Sequence, residues 1–173
     1  MDQGRAADGP DATFDVMQLS HDGTVTDTAA PCAEVAQASQ LSATMTPDTL
    51  WMTCATKTTD AIFDSSDNGS HWKQVVGHDF LNPDVPPFTR IGAISSQKAI
   101  VASIDLDDAL MTLAQDGTTS KVAVPHGNAF ISSIEFTDST HGLAMIQDTD
   151  RQAHELWRTT DGGSQWSVVS FGS

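Results

Sequence analysis

Thr159-Thr160-Asp161-Gly162-Gly163-Ser164-Gln165-Trp166 decides the fold of this chain, and Ser65-Ser66-Asp67-Asn68-Gly69-Ser70-His71-Trp72 repeats it. Both stretches fit Ser/Thr-x-Asp-x-Gly-x-x-Trp. An apolar pair precedes each, Leu156-Trp157 or Ile62-Phe63, and a strand-like run follows, Ser167-Val168-Val169 or Gln74-Val75-Val76. Glycine admits the positive φ of a tight hairpin. Aspartate two residues earlier can accept several N–H bonds from the loop. The tryptophan that opens the next strand can fold back over the turn and pack on a neighbouring unit. Ser65, Asp67, Gly69 and Trp72, with Thr159, Asp161, Gly163 and Trp166, thus have a complete structural account as turn staples, without any ligand.

Two weaker copies share the register: Leu110-Met111-Thr112-Leu113-Ala114-Gln115-Asp116-Gly117 and Val16-Met17-Gln18-Leu19-Ser20-His21-Asp22-Gly23. They keep Asp-Gly but lack the earlier aspartate and the tryptophan. Gly23, Gly69, Gly117 and Gly163 are separated by 46, 48 and 46 residues. A steady period of about 45 residues with alternating apolar runs is the signature of one four-stranded unit per repeat. Upstream strands are expected at residues 38–44 and 50–54, 89–95 and 99–104, and 130–136 and 142–147. Their small and apolar residues predict inner strands buried on both faces.

Composition agrees. The chain has 173 residues, 39% hydrophobic and 18% charged, enough for one domain with a core. Of its 23 acidic residues only Glu34, Glu135 and Glu155 are glutamate. Aspartate favours turns, and with 12 Gly and 7 Pro it points away from a helical bundle or an α/β enzyme. A formal charge of −15 repels phosphate backbones and anionic membranes, so no nucleic-acid partner is expected. No apolar run approaches the roughly 18–20 residues that span a bilayer, and no signal-peptide core opens the chain.

The expected fold class is all-β: a β-propeller of four-stranded antiparallel blades. Residues 1–12 form a polar leader and 13–172 a single propeller domain or fragment, with a hairpin over 13–28 and blades over 31–77, 88–124 and 128–172. That makes about three and a half blades, and an open array leaves strand edges and faces exposed. Three readings follow: a longer parent ring, closure by association, or a compact ring with one degenerate unit.

The two full boxes resemble the Asp-box, or BNR repeat. The pieces from Phe136 to Ala144 and from Leu156 to Gly163 also resemble repeats of bacterial BNR-like propellers, including photosystem II assembly-factor-like and sortilin-type ones. The resemblance covers about residues 13–172 and implies the fold. It says little of function, because such repeats occur in sialidases, other glycosidases, receptors and assembly factors. Sialidases use a Tyr nucleophile and an arginine triad. This chain has no Tyr, and its arginines are Arg5 in the leader, Arg90, Arg151, and Arg158 within the repeat. Sialidase chemistry is excluded, and no catalytic residue is assigned.

Cys32 lies just before the first strand of its blade and Cys54 at the end of the second, so both fall at one end of the blade. Pro31-Cys32 with Leu50-Trp51-Met52-Thr53-Cys54 resembles secreted actinobacterial propellers, which implies a disulfide; two buried free thiols are the alternative. Six scattered histidines show no zinc-ligand spacing. Asp105, Asp107 and Asp108 form a weak calcium candidate, or a solvated turn. The proline-rich stretch 78–88 is a partner-facing loop or a rigid linker. Asn68-Gly69-Ser70 matches a glycosylation sequon and is read here as the turn.

The expected function is a non-enzymatic, exported scaffold for protein interaction or assembly, without cofactor or membrane insertion of this segment. Its partner would be a protein, basic or a second copy. The parent would be extracytoplasmic, secreted or lipid-anchored, with its signal outside this chain. The alternative is a carbohydrate-binding or glycosidase-related propeller, marked by two carboxylates about 5–9 Å apart beside an aromatic wall.

Overall fold

The computed structural model describes residues 15–19, 23–29, 31–34, 38–43, 49–55, 60–76, 90–102, 110–125, 129–148 and 153–171. A hairpin of β1 (Asp15–Leu19) and β2 (Val25–Ala29) precedes a 3₁₀ turn at Pro31–Glu34. Three four-stranded sheets follow. The first holds β3 (Ala38–Ala43), β4 (Leu50–Ala55), β5 (Asp60–Ser65) and β6 (Lys73–Val76). The second holds β7 (Arg90–Ser95), β8 (Lys98–Ala102), β9 (Leu110–Ala114) and β10 (Thr119–Lys121). The third holds β11 (Ala129–Phe136), β12 (Gly142–Asp148), β13 (Ala153–Thr159) and β14 (Ser167–Val168).

Within each sheet the strands pair antiparallel in chain order, because short polar turns join short apolar runs. Gly23, Gly69, Gly117 and Gly163 all carry positive φ, at +84°, +80°, +87° and +80°. The first strand of each four-stranded sheet also carries a register shift, at Ala38/Gln40, Ala93/Ser95 and Ile131/Ser133. The shifts in β3 and β11 fall at equivalent positions near the strand start, that in β7 beside the β7–β8 turn, and each bulge adds local twist.

Neighbouring sheets pack through their first strands, with β7 lying against β3 on one side and β11 on the other. One core, between the first and second sheets, is built from Trp51, Ile62, Ile91, Val101 and Leu113. The next, between the second and third, is built from Ile94, Ile100, Ile134, Trp157 and Trp166. At Gly92 the backbone of β7 presses directly on the third sheet: a Cβ there would sit 2.7 Å from Ile134 Cγ2. Burial of apolar surface on both sides of the second sheet is the main force holding the array.

β7 and β8 are buried almost throughout, as expected of inner strands. β12 departs from that expectation. Its residues 143–147 alternate exposed and buried, because a sheet covered on one face alone keeps its period of two. Cys32 and Cys54 form a disulfide with Cα atoms 5.4 Å apart, tying the 3₁₀ turn to β4 beside Met52. Among the described residues no helix is long and apolar enough to cross a membrane. The leader 1–12, the stretch 78–88 and the trio Asp105, Asp107 and Asp108 lie outside the described residues.

Candidate functional site

In the third sheet the turn after β13 is closed by its own side chains. Asp161 Oδ1 accepts from the backbone N–H groups of Ser164 and Gln165, each at 3.0 Å, and from the Thr159 hydroxyl at 2.8 Å. Thr159 Oγ1 in turn accepts from Gly163 N at 3.0 Å. Trp166 folds over the turn, donates Nε1–H to Gly163 O at 3.2 Å, and meets Phe136 edge to face with centroids 6.0 Å apart. Gly163 sits on the second sheet so closely that a Cβ would lie 2.7 Å from Ile100 Cδ1.

The first sheet repeats the arrangement. Ser65 Oγ donates to Asp67 Oδ1 at 2.9 Å and accepts from Gly69 N at 2.8 Å, while His71 N donates to Asp67 Oδ1 at 2.8 Å. Trp72, like Leu50 and Phe63, packs against Cys32, Met52 and Cys54, and among the described residues its buried Nε1 meets no acceptor.

The second sheet differs, and sequence reasoning missed why. Gln115 stands where the other turns hold aspartate, two residues before the glycine. Its amide leaves its own turn and donates to Asp64 Oδ2 on the first sheet. Asp116 takes over the local bond, accepting from Thr118 N at 2.9 Å. Two further bonds cross between sheets: Trp51 Nε1 donates to Ser95 O at 3.1 Å, and Lys98 Nζ to Gly162 O at 3.1 Å. The signal available in the sequence was the Gln itself, a long amide at a position that takes a short carboxylate in both full boxes.

These turns share one end of the sheets with the β11–β12 turn, since Gly162 N donates to Thr140 O at 2.8 Å. There Asp138 Oδ1 accepts from Thr140 Oγ1 and from the N–H groups of Thr140 and His141. The Thr140 hydroxyl, then the His141 amide, hold the Asp138 carboxyl well below the usual carboxylate range. The His71 ring, 2.6 Å from Asp67 Oδ2, and then the His71 amide bring Asp67 down to about 2. Asp161 is lowered by the Gln165 amide first, and Asp116 by the Thr118 amide first. This end of the molecule therefore stays anionic at any physiological pH. Among the described residues no group of His, Cys, Asp or Glu is placed to hold a metal ion.

A recess of about 210 Å³ opens beside the last turn, lined by Arg158, Thr160, Asp161, Gln165, Trp166 and Ser167. It adjoins the uncovered face of the third sheet. Cross-strand pairing identifies that face, because Trp51↔Asp64, Ile100↔Thr112 and Leu143↔Arg158 occupy one position in three successive sheets. Trp51 and Ile100 are 0% exposed, whereas Leu143 is 44% exposed. One pair further along, Thr53 and Ala102 are each 1% exposed and Met145 is 54% exposed.

The sheet order and the packing of first strand on first strand match a known architecture. The chain superposes on the GH74 xyloglucanase from Xanthomonas campestris with a TM-score of 0.55 at 14% identity, covering 89% of this chain. It is a partial β-propeller. The chain spans only 23% of the xyloglucanase. A second solved structure, YCF48 from Cyanidioschyzon merolae, matches at 13% identity with a TM-score of 0.37, covering 90% of this chain and 63% of that one. No protein-family model and no curated protein matches the sequence.

Proposed function

We propose that this chain is a non-enzymatic, exported propeller segment of the Asp-box type, serving as a scaffold for protein interaction or assembly. The observation that carries the reading is the uncovered blade face, where Leu143 and Met145 hold positions that are sealed between the other blades. Exposed aliphatic side chains at the centre of a sheet are the kind of surface that a protein partner covers. The turn carboxylates support a structural role, since Asp161 Oδ1 is already occupied by two backbone N–H groups and a hydroxyl. The Cys32–Cys54 bridge supports an oxidising, extracytoplasmic setting.

The carbohydrate reading finds its footing in the Arg158 recess and its Trp166 wall, where Asp161 is the one carboxylate. The two readings separate in one experiment. The purified chain is assayed for polysaccharide hydrolysis and glycan binding, and in parallel for protein partners by cross-linking in its native compartment. The scaffold reading expects a cross-linked partner that is lost on Leu143→Asp, and no hydrolysis. Hydrolysis, or glycan binding lost on Arg158→Ala, overturns it.

A further inference from the structure

We propose that the uncovered face of the third blade docks a protein partner through one carboxylate side chain, seated against Arg158 and flanked by apolar residues. The inference rests on the scaffold reading above and names the chemistry of its partner. Its warrant is an unmatched cation. Among the described residues Arg90 donates Nε–H to Ser132 O at 2.8 Å, and Lys98 Nζ donates to Gly162 O. Lys121 is engaged as well, and the Asp116 carboxyl, lowered mainly by the Thr118 amide, also feels Lys73. Arg158 alone among them has no bond and no ion pair, in a chain with 23 acidic residues against 8 basic ones.

Cross-strand pairing sets Arg158 between Leu143 and Ser167, and Met145 opposite Leu156 in the next pair along the same face. Leu143 and Met145 are exposed there. Glu135, beyond Leu143 in the same row, makes no ion pair with Arg158. Inside the chain this position is met by a polar complement. Asp64, which stands in the first blade where Arg158 stands in the third, takes the Gln115 amide of the following unit. A carboxylate there takes a donor, so a guanidinium there calls for an acceptor, and its planar fork matches a carboxylate. The recess beside it, about 210 Å³, adds the polar side chains of Thr160, Gln165 and Ser167. Pockets that bury a drug-sized ligand run to roughly 300–1,000 Å³, so this one suits a single acidic side chain better than a length of polysaccharide. Asp161 Oδ1 is spent on the turn, and the charge it keeps in the recess disfavours a polyanion such as phosphate. The net charge of −15 opposes an acidic partner at long range, so the contact depends on covering Leu143 and Met145 at the same time.

The test is a titration of the isotope-labelled chain, followed by NMR at physiological salt and up to millimolar ligand. The probes are the peptide acetyl-Ser-Leu-Glu-Leu-Ser-amide, its Gln and Lys counterparts at the central residue, and glucuronate. The Glu peptide is expected to shift both the Arg158 Nε–H and the Met145 methyl resonances, and to bind about tenfold or more tighter than the Gln peptide. The Lys peptide should bind more weakly still. On Arg158→Ala the Glu and Gln peptides should become equal. The comparison among peptides needs no variant, so it stands even where one folds poorly. A Glu peptide that leaves Arg158 unmoved, or binds no tighter than the Gln or Lys peptide, overturns the docking and leaves the scaffold reading intact. Glucuronate that matches the Glu peptide while Met145 stays unmoved assigns the carboxylate to a sugar and overturns both.

Discussion

Gln115 Nε2 donates to Asp64 Oδ2 across the junction between the first and second blades, from the position that holds aspartate in the flanking turns. One substitution thus trades a bond within a turn for a bond between units. Asp64 is 3% exposed, and its Oδ1 has no hydrogen-bond partner among the described residues. Gln115→Ala strands the whole carboxylate, and is expected to cost about 1–3 kcal/mol in urea denaturation. Gln115→Asn, too short to cross, should fall close to Ala.

Asp161→Ala removes the acceptor of two backbone N–H groups and of the Thr159 hydroxyl. A loss of about 1–3 kcal/mol is expected by thermal or chemical denaturation. Because the role is in the turn, partner binding should hold as long as the chain is folded. A large binding loss at unchanged stability would mark Asp161 as a contact residue.

Gly163→Ala and Gly69→Ala should differ. Both glycines have φ of +80°, so both variants carry backbone strain. Only at Gly163 does a Cβ meet a neighbouring blade, 2.7 Å from Ile100; at Gly69 the nearest atom is Trp72 Cζ2 at 3.3 Å. Gly163→Ala should cost about 2–4 kcal/mol and Gly69→Ala about 1–2 kcal/mol. Adding Ile100→Ala should relieve the clash part of the first loss and none of the second.

The lowered carboxylates set the acid response. Asp67, Asp116, Asp138 and Asp161 bind protons less readily folded than unfolded, so folding favours their ionised form. Their contribution is complete above the unfolded value of about 4 and is lost as pH falls toward the folded values, about 2 for Asp67. The melting temperature should therefore drop between about pH 4 and pH 2. Replacing Asp138 and Asp161 with Asn should flatten that slope.

Removing the Cys32–Cys54 bridge by reduction, or by paired Ala substitutions, should lower stability by roughly 3 kcal/mol, the loop-closure value for a bridge of this span. Hydrogen exchange should place the loss in the first blade, where the bridge ties the 3₁₀ turn to β4.

The propeller was legible because its signal is local and repeated. Eight residues from Thr159 to Trp166 contain every group that shapes their turn, and the spacing of Gly23, Gly69, Gly117 and Gly163 counts the units. The cysteine pairing was legible in part: strand direction places Cys32 and Cys54 at one end of a blade and the resemblance implied the bridge, but two free thiols fitted the same placement, and the structure shows the disulfide. The contacts between blades were not legible. Asp64 and Gln115 are 51 residues apart, and nothing in the alternation of either strand says which face meets which. The exposed face of β12 escaped as well. Leu143, Ala144, Met145 and Ile146 read as a continuous apolar run, and such a run does not state whether a neighbour covers both sides.

The outermost strands β6, β10 and β14 are four, three and two residues long. Rows of free peptide groups this brief offer an incoming chain almost no ladder to extend, so runaway fibre growth by strand addition is blocked at the rim.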